Sequence, residues 1–580
     1  MNFASRETHI HCLHYWSEQR PDSVFLTQPI SENEVVEYTW QEVLSQVKSV
    51  AIYLKSTGLP PGSHIGIFGK NSAHWIMADL AIWMAGFVSI PIYPSIGSES
   101  AKHIFSHGDI KALIVGKLDG ISDSWKSVKN VIPNAINTVR LPLSPDIDNA
   151  RTWDAIVADK SPNQALKLPA PSAIATIMYT SGSTGLPKGV MHTFETMMHV
   201  ARSTEEEFGL GYGDRFISYL PLAHAAERAT VESAGIYTGG HIFFTHSLDS
   251  FVEDLQRAKP TFFLSVPRLW IKFYQGVNEK IPLRLQSALL RIPLLNRSLR
   301  KKVTKTLGLQ YVRYAVTGSA AVPVEIVKWY RSMGVELLEA YAMTENFGYS
   351  HCNRVGDYKE GYVGHPQPSV DCKISDEGEV LVKSPANMIG YYKDAAKTHE
   401  DITSEGYLRT GDLGELDPDG RLRITGRIKD LFKTSKGKYV APVPIEQKIG
   451  AHPAVEAVCV GGSSLPQPVA FVTLAQSLRD KVPLDAATTA SLEADLSAAL
   501  VAWNQTLEAH EKISFMVIAG EAWNTDNDML TPTLKIKRRS IENHFEPKLS
   551  IWSELKQPVV WEEANAANNC VGSARTPDAR

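Results

Sequence analysis

The chain contains 580 residues, of which 43% are hydrophobic, and it carries a formal net charge of -4 at pH 7. This length exceeds the roughly 250–300 residues that one hydrophobic core can serve, so we expect two or more domains that each bury a core. The slightly acidic balance excludes a general electrostatic attraction to nucleic acid.

Neither the cysteines nor the apolar segments indicate secretion or a membrane span. The five cysteines lie far apart and show no metal-ligand spacing: Cys12, Cys352, Cys372, Cys459 and Cys570. The N-terminus has neither the basic start nor the apolar run of a secretory signal. The most apolar window, residues 76–92, contains Asp79 and Pro91 and falls short of the roughly 20 apolar residues of a spanning helix, which favours a buried helix followed by a strand. These features predict a soluble protein of the reducing cytoplasm.

Helical and strand patterns alternate through most of the chain. The amphipathic segment TWQEVLSQVKSVAIYLKSTG predicts a helix that ends at Gly58, and HIGIFG predicts the strand after it. Further apolar runs, each bounded by Gly, Pro or polar residues, read ALIVG, ATIMYT, FISYL, HIFFTH and TFFLSV. Short apolar strands that alternate with helices are typical of an α/β architecture with largely parallel, buried sheets.

The sequence pattern changes towards the C-terminus. From about Gly378, short β-rich segments are separated by Asp-Gly and Gly turns, which predicts antiparallel hairpins. The segment from about 430 to 545 mixes strands such as VAFVTLA with helices and is interpreted as a separate, small α+β unit. The last residues, NAANNCVGSARTPDAR, are predicted to form a loose tail.

The strongest local signal is the run Tyr179-Thr-Ser-Gly-Ser-Thr-Gly-Leu-Pro-Lys-Gly189, which follows the apolar strand ATIM. Its three glycines allow backbone N–H groups to approach phosphate oxygens closely. Hydroxyl donors and a positive charge are added by Ser181, Ser183, Thr184 and Lys188. The spacing fits neither a Walker A loop nor a Rossmann turn. The run therefore predicts a phosphate-binding loop of another kind, with a flexible Gly/Ser linker as the alternative.

Around this loop the chain resembles the adenylate-forming superfamily of acyl-CoA synthetases, luciferases and peptide-synthetase adenylation domains. Further motifs follow in the order of that superfamily: SYLPLAHAAER (218–228), VTGSAAVP (316–323), LLEAYAMTENFG (337–348), YLRTGDLGEL (407–416), RLRITGRIKDLFKTSKGKYVAPVPIE (421–446) and LTPTLKIKR (530–538). The resemblance covers roughly residues 15–545. Within the superfamily, YLPLAHxxER and FKTSKGKYVAPxxIE are most similar to long-chain acyl-CoA synthetases.

The resemblance implies the adenylate-forming enzyme fold. We expect a large, multi-sheet α/β domain over residues 1–426, with a β-rich subdomain at about 378–426. A hinge at 427–429 would join it to a mobile, small α+β domain at 430–545. Residues 546–580 are predicted to be a partly disordered extension.

The resemblance also implies the residues that bind ATP. They are, in chain order, Thr180, Ser181, Gly182, Ser183, Thr184, Gly185, Lys188, Gly318, Ser319, Ala320, Tyr341, Thr344, Asp412 and Arg427. The small residues at 318–320 would line the adenine pocket, where a plain β-turn is the alternative. Tyr341 would stack on adenine and Thr344 would contact the α-phosphate. Asp412 would accept hydrogen bonds from the ribose hydroxyls, and Arg427 would support the same region, unless both belong to a hairpin or a surface ion pair.

Glu345 and Thr184 are the implied Mg²⁺ ligands. A hard cation that bridges ATP oxygens takes oxygen ligands, which a carboxylate and a hydroxyl supply. The alternative for Glu345 is a solvated carboxylate. Ala342 departs from the glycine that many members have there, which puts the fine geometry near the nucleotide in doubt.

Lys535 is the implied catalytic lysine of the C-terminal domain. An ammonium group there would stabilise the negative charge that grows when a carboxylate attacks the α-phosphorus of ATP. Leu534 stands where many members have glycine, and the neighbouring Lys537, Arg538 and Arg539 leave a solvated basic run as the alternative.

Lys429 falls at the hinge position of the superfamily. Rotation there would exchange the Lys535 face of the C-terminal domain for the TSKGKY face, and so adenylation for thioester formation. Lys436, Gly437 and Lys438 are thus candidates for the active site that takes CoA. His224 matches a position beside the acyl carboxylate, where it would exclude water and gate CoA entry, with a structural histidine as the alternative.

Residues 280–305 are not explained by these motifs. They hold eight Lys or Arg residues and no acid, interleaved with Leu and Ile. A basic amphipathic surface of this kind can contact anionic lipid. The other interpretation is an ordinary pair of helices with one solvent-exposed face, because Pro293 would split a single helix.

The whole pattern predicts an ATP-dependent ligase that uses Mg²⁺ and CoA to activate a fatty acid in two steps. It would form acyl-AMP and pyrophosphate, and then acyl-CoA and AMP. Three alternatives stay open: an enzyme that loads a carrier protein or stops at acyl-AMP, a ligase for a short or aromatic acid, and an inactive homologue that binds nucleotide or lipid. The direct run from ITGRIKD into FKTSKGKY favours the CoA ligase.

Overall fold

The computed structural model describes residues 5–118, 124–134, 136–159, 166–180, 186–482, 484–524, 527–531 and 535–562. In chain order the strands are β1 (Val24–Pro29), β2 (Val35–Thr39), β3 (His64–Phe68), β4 (Val88–Ile92), β5 (Ile110–Val115), β6 (Asn137–Arg140), β7 (Arg151–Thr152), β8 (Ile174–Thr180), β9 (Lys188–Thr193), β10 (Arg215–Ser218), β11 (His241–Phe244), β12 (Phe262–Ser265), β13 (Tyr314–Thr317), β14 (Leu337–Tyr341), β15 (His351–Cys352), β16 (His365–Pro366), β17 (Asp371–Ile374), β18 (Glu379–Lys383), β19 (Gly390–Tyr391), β20 (Leu408–Leu416), β21 (Leu422–Arg427), β22 (Phe432–Lys433), β23 (Tyr439–Val440), β24 (Val455–Gly461), β25 (Val469–Leu474), β26 (Met516–Ile518) and β27 (Val559–Trp561).

The α-helices are α1 (His9–Gln19), α2 (Trp40–Ser56), α3 (Ala73–Met84), α4 (Ser98–His107), α5 (Trp125–Val128), α6 (Trp153–Ala158), α7 (Phe194–Phe208), α8 (Ala225–Glu227), α9 (Ala234–Thr238), α10 (Phe251–Ala258), α11 (Pro267–Lys280), α12 (Leu283–Leu290), α13 (Pro293–Thr306), α14 (Val324–Ser332), α15 (Ala395–Asp401), α16 (Pro442–Gly450), α17 (Gln476–Arg479), α18 (Ala486–Gln505) and α19 (Arg538–Glu554). Short 3₁₀ turns lie at Lys129–Val131, Thr344–Asn346 and Ile428–Asp430, and a π-helical turn lies at Arg228–Ser233.

The central sheet has eight strands in the order β19-β9-β8-β4-β3-β5-β6-β7. Strands β8, β4, β3, β5, β6 and β7 run parallel, while β9 and β19 are antiparallel to their neighbours. Helix α3 is buried along its whole length, because it is apolar on every side, and it leads into β4. This confirms the buried helix and strand predicted for residues 76–92. No helix in the described part of the chain is long and apolar enough to cross a membrane.

Two further sheets complete the α/β region. One has the order β10-β11-β1-β2 and the other has the order β12-β13-β14-β15-β16. Strands β12, β13 and β14 run parallel, so their carboxyl ends meet at one edge of the sheet. The turns that follow β13 and β14 therefore lie side by side, and both belong to motifs predicted to bind nucleotide.

A four-stranded antiparallel sheet, β17-β18-β20-β21, follows. It contains the hairpins predicted from Gly378 onwards, and it begins earlier in the chain, at Asp371. The strand β17 lacks a clear alternation of buried and exposed residues, which is why its sequence gave little sign of a strand.

The small C-terminal unit is built on the mixed sheet β24-β25-β26-β27, with the hairpin β22-β23 before it. Alternate residues of β25 face opposite sides: Ala470 and Val472 pack with α16 and α18, whereas Val469 and Phe471 pack with α19. The C-terminal sheet with its helices on both faces forms a small α+β domain, and it follows the large α/β region. This confirms the predicted combination of an α/β domain and a smaller α+β domain.

The structure differs from the sequence prediction at the end of this unit. The extension was predicted to begin at residue 546, but α19 continues to Glu554 and β27 pairs with β26 as far as Trp561. Trp552 and Val560 are buried against the same sheet. Pro547 lies inside α19 and made a helix end there the simpler expectation.

Candidate functional site

The turn after β13 packs tightly against β14. Ser319 adopts a left-handed backbone conformation with φ of +72°. A Cβ atom on Gly318 would lie 3.3 Å from the carbonyl oxygen of Ala340. The small residue Gly318 therefore serves the close approach of two backbone segments, and Gly318, Ser319, Ala320 and Tyr341 are all at least partly exposed.

Tyr341, Asp412 and Arg427 form one hydrogen-bonded cluster. Tyr341 donates its hydroxyl to Oδ2 of Asp412 at 2.7 Å, and Nε of Arg427 donates to Oδ1 at 2.8 Å. Asp412 and Arg427 are cross-strand partners in β20 and β21, which fixes their approach. Burial, and then the negative charge of Asp412, raise the pKa of Tyr341 well above its usual value, so this hydroxyl stays a donor. The two Asp412 oxygens keep lone pairs for two further donors.

Glu345 lies in the 3₁₀ turn after β14, and its carboxylate is held by a residue that the sequence did not single out. The hydroxyl of Tyr391 lies 3.1 Å from Oε1 of Glu345 and 3.0 Å from Oδ2 of Asp401. Burial is the main cause that raises the pKa of Glu345 above its usual value. Among the described residues no cation forms an ion pair with this carboxylate, so a bound cation would compensate its buried charge.

The backbone of the same turn is held at both ends. Nε2 of His192 donates to the backbone carbonyl oxygen of Thr344 at 2.8 Å. The backbone N–H of Met388 donates to the backbone carbonyl oxygen of Glu345 at 2.7 Å. Burial lowers the pKa of His192 to about 4, so the imidazole is neutral. His192 and Tyr391 come from distant segments, and only the fold brings them to Glu345.

The predicted phosphate loop connects β8 and β9 of the central sheet. Ser181, Gly182, Ser183, Thr184 and Gly185 lie outside the described residues. The two ends of the loop are close, since Thr180 and Lys188 are cross-strand partners. The Lys188 ammonium lies 5.5 Å from the centre of the Tyr391 ring. The hairpin therefore carries Lys188 to the same tyrosine that contacts Glu345.

Lys535 reaches this cluster from the C-terminal unit. Its side chain is exposed and lies close enough to Arg427, Asp412 and Glu345 to feel their charges, and we call the region between these residues the cleft. Desolvation, and then the charge of Arg427, lower its pKa, while the carboxylates of Asp412 and Glu345 act in the opposite direction. The adjacent basic side chains are engaged elsewhere: Lys537 pairs with Asp528, and Arg538 pairs with Glu446. Lys535 thus differs from Lys537 and Arg538 in the charged groups beside it.

His224 lies on another wall of the same cleft. Its Nδ1 accepts a hydrogen bond from the N–H of Ala226 at 3.1 Å and caps the short helix α8. Burial, and then the charge of Lys535, lower the pKa of His224 to about 3. His224 therefore presents a neutral ring, which suits a residue that excludes water better than one that exchanges protons near pH 7.

The segment after His224 is anchored by buried charges. The guanidinium of Arg228 pairs with Asp79 and with Glu232, and it donates to the hydroxyl of Thr176 at 2.7 Å. The side chains of Arg228, Asp79 and Glu232 are fully buried. Arg228, the last residue of the SYLPLAHAAER motif, therefore belongs to the core. Glu232 is four residues after it, but Asp79 and Thr176 are far from it in the chain, so the sequence gave no sign of the whole network.

The structure does not bring the remaining candidates to this cleft. Lys436, Gly437 and Lys438 are exposed at the tip of the β22-β23 hairpin, where Gly437 has φ of +79°. No hydrogen bond or ion pair within the described ranges joins this tip to Glu345 or Asp412. Lys429 lies in the 3₁₀ turn between the two domains and is exposed.

Direct contacts hold the C-terminal unit in this position. Arg268 of α11 pairs with Glu456 at 2.6 Å, and the side-chain amide of Gln275 donates to the carbonyl oxygen of Val455 at 3.0 Å. These contacts are few and polar, as expected for an interface that can rearrange.

Comparisons with known proteins give one consistent result. The profile of the AMP-binding enzyme family matches residues 13–392, and that of the AMP-binding enzyme C-terminal domain matches residues 429–551. The chain is 29% identical over 576 residues to the long-chain-fatty-acid–CoA ligase FadD15 of Mycobacterium bovis, covering 90% of this chain and 93% of that protein. It is 29% identical over 587 residues to the long-chain-fatty-acid–CoA ligase 5 of Rattus norvegicus, covering 90% and 85%.

Solved structures show the same fold. The A domain of a carboxylic acid reductase from Segniliparus rugosus aligns with a TM-score of 0.77 at 20% identity, over 95% of this chain and 96% of that chain. The anthranilate CoA ligase AuaEII aligns with a TM-score of 0.75 at 20% identity, over 94% and 98%. At this identity the two matches establish the fold alone.

Proposed function

The chain belongs to the AMP-binding enzyme family, and on this basis we propose that it is a fatty acid–CoA ligase that forms AMP. It activates a medium- or long-chain fatty acid with ATP and transfers the acyl group to CoA. The observation that carries the proposal is the cleft in which Lys535 of the C-terminal unit meets Glu345, Asp412 and Arg427 of the large domain. The substrate class is supported by the names of the relatives that match over 90% of this chain.

The nucleotide roles follow from the geometry of the cluster. We assign the ribose to Asp412, whose oxygens are oriented by Tyr341 and Arg427 and retain lone pairs for two hydroxyls. The adenine lies against the ring of Tyr341 and the turn at Gly318, Ser319 and Ala320. Thr344 and the phosphate loop from Thr180 to Lys188 take the phosphates.

Mg²⁺ fits this site through Glu345, whose buried carboxylate has oxygen donors of the kind that a hard cation prefers. Thr184 is the second proposed ligand. When bound, the metal neutralises part of the phosphate charge.

In the first step, a carboxylate oxygen of the fatty acid attacks the α-phosphorus of ATP. The bond from phosphorus to the bridging oxygen breaks, and pyrophosphate leaves with that electron pair. The Lys535 ammonium lies where negative charge increases on the α-phosphate and the leaving group. The neutral His224 keeps water from this centre, since water would divert the reaction to hydrolysis.

In the second step, the CoA sulfur attacks the carbonyl carbon of acyl-AMP. The bond to the phosphate oxygen breaks, AMP leaves with that electron pair, and the thiol proton passes to solvent. We propose that rotation at Lys429 withdraws Lys535 and brings Lys436, Gly437 and Lys438 to the cleft for this step. Their exposed position in the present conformation leaves them free to do so.

We also propose that the enzyme acts in the cytoplasm at a membrane surface, which it contacts through residues 280–305. Free thiols at Cys12, Cys352, Cys372 and Cys459 are compatible with a reducing compartment. A fatty acid substrate partitions into lipid, so a ligase at the bilayer surface meets the highest local concentration of it.

The proposed function is tested by AMP release from ATP with acids from acetate to oleate and with benzoate-type acids, each with and without CoA. We expect turnover that needs CoA and is highest for medium or long chains. Consumption of ATP without dependence on CoA would favour the enzyme that loads a carrier protein. A preference for benzoate or acetate would contradict the substrate class, and no turnover with any acid would indicate an inactive homologue.

Tyr341→Phe tests the proposed ribose site. The variant keeps the ring but removes the hydroxyl that orients Asp412, so we expect ATP to bind about tenfold more weakly, in line with the loss of one hydrogen bond to a charged group. Calorimetric titration with ATP and the KM for ATP both measure the change. Tyr330→Phe is the matched control, because its hydroxyl donates to the Trp270 carbonyl in the core. An unchanged affinity in Tyr341→Phe would refute this role.

A further inference from the structure

The helices α12 and α13, which we call the basic hairpin, expose several apolar side chains. Leu294 is 85% exposed, Leu285 51% and Ile292 49%, and Leu283 and Leu295 are also exposed. An ordinary surface helix pair would turn its leucines inward and its polar residues outward. In α12 only part of this pattern holds, since Leu289 and Leu290 pack against the core but Gln286 is the buried side chain, and Leu283 and Leu285 face outward. Water contact with these side chains is unfavourable, so this surface is suited to an apolar partner.

The basic hairpin is fixed firmly to the large domain in this orientation. The side chain of Gln286 accepts a hydrogen bond from Nε1 of Trp329 at 2.8 Å and donates to Oδ1 of Asn278 at 2.6 Å. Leu299 and Val303 of α13 are buried in the core beneath. The exposed leucines are therefore held outward by a rigid support, and a small local movement does not bury them.

A surface cleft of about 400 Å³ lies where the two helices meet. It is lined by Leu290, Arg291, Pro293, Asn296, Arg297 and Arg300. Nε of Arg300 donates to the carbonyl oxygen of Ser332 at 2.8 Å, which positions that guanidinium. Neither Arg291 nor Arg297 forms an ion pair with any described residue. Three guanidinium groups around one cleft, with no acid in residues 280–305, produce a strongly positive site.

These observations define the chemistry of the partner. Guanidinium groups match the geometry of phosphate oxygens and bind them with paired hydrogen bonds. The leucines and the isoleucine beside the cleft require an apolar phase next to that phosphate. In a bilayer with anionic headgroups, each phospholipid places a phosphate directly beside an apolar acyl region. A soluble phosphate has no apolar part.

We propose that the basic hairpin docks the enzyme on an anionic membrane, with the phosphate of one phospholipid in the cleft between Arg291, Arg297 and Arg300. Leu294 and Ile292 enter the acyl region beside it. The inference rests on the proposed function, because a fatty acid ligase obtains its substrate from this phase, and it names the headgroup site through which the contact is made.

The test is flotation of the full chain with vesicles of phosphatidylcholine alone and with vesicles that contain about one third phosphatidylglycerol. We expect binding to the anionic vesicles only. The double variant Arg291→Ser, Arg297→Ser should lower the partition coefficient roughly thirtyfold, since each basic residue at an anionic surface contributes about a factor of five. The charge-matched control is Lys301→Ser, Lys302→Ser, for which we expect less than a fivefold loss because these lysines lie outside the cleft.

Equal losses in the two double variants would overturn the headgroup site, and equal binding to both kinds of vesicle would overturn the role of the charges. The proposal is also overturned if the full chain binds neither. Turnover of octanoate and of oleate without vesicles is measured in parallel on all proteins. Absence of turnover with both acids would refute the proposed function whatever the vesicles show, whereas normal turnover without vesicle binding would refute the docking alone.

Discussion

Lys535→Ala should lower the rate of acyl-AMP formation by about a hundredfold to a thousandfold and leave thiolysis of supplied acyl-AMP by CoA nearly unchanged. Removing one preorganised group that stabilises developing charge has an effect of this size. The chain holds the ammonium near Asp412 and Glu345, whereas a cation from the solvent has no such attachment. The two half-reactions are measured separately, the first as exchange of labelled pyrophosphate into ATP and the second as release of CoA ester from synthetic acyl-AMP.

Lys537→Ala is the matched control for this experiment. Lys537 pairs with Asp528 at the surface of the C-terminal unit, and its removal should leave both half-reactions within about twofold of the parent enzyme. If Lys535→Ala slows both half-reactions equally, the lysine is not specific to adenylation. If Lys537→Ala has the larger effect, the role belongs to another part of the basic run.

The pH profile provides a second readout of the same lysine. Its pKa is lowered, chiefly by desolvation, so the ammonium loses its proton at a lower pH than an ordinary lysine of pKa about 10.4. Because adenylation needs the charged form, kcat/KM for ATP should fall on the alkaline side below that value. This alkaline limb should be missing from the Lys535→Ala profile.

The site could be predicted from the sequence wherever a short motif carries the residue. The motifs AYAMTE, TGD and TGR named Glu345, Asp412 and Arg427. Asp412 and Arg427 are cross-strand partners in β20 and β21, and Glu345 lies in the turn after β14. Lys535 stood among four basic residues, and the sequence alone could not separate it from its neighbours. The separation comes from tertiary ion pairs, which occupy Lys537 and Arg538.

Residues that act through long-range contacts could not be found in this way. Tyr391 and His192 lie in ordinary strands, and nothing in their local sequence shows that they reach the turn of Glu345. The end of the C-terminal unit was misplaced for a related reason, since β27 is short and only its pairing with β26 defines it.

Arg228→Met should lower the free energy of unfolding of the large domain by about 3–5 kcal/mol. The substitution keeps the volume of the side chain but leaves Asp79 and Glu232 fully buried without their cation. Burial raises the pKa of Glu232 well above its usual value and also raises that of Asp79, while the charge of Arg228 lowers both. Unfolding in urea is followed by tryptophan fluorescence, because the guanidinium lies 5.6 Å from the ring of Trp75 and 5.5 Å from that of Trp83.

The pH dependence separates a lost ion pair from a simple packing defect. In Arg228→Met both carboxyl groups are forced to bind protons in the folded state, and these protons are released on unfolding above the ordinary carboxyl pKa. Because the folded state binds more protons than the unfolded state, stability rises as the pH falls from 7 towards 5. The loss of unfolding free energy in Arg228→Met should therefore become smaller in this range. The triple variant Arg228→Met, Asp79→Asn, Glu232→Gln should recover more than half of that loss.

The control is Lys328→Met, which removes an exposed ion pair with Glu360 and should change the free energy of unfolding by no more than about 1 kcal/mol. A deficit that is independent of pH and persists in the triple variant would show that Arg228 stabilises the domain by packing alone.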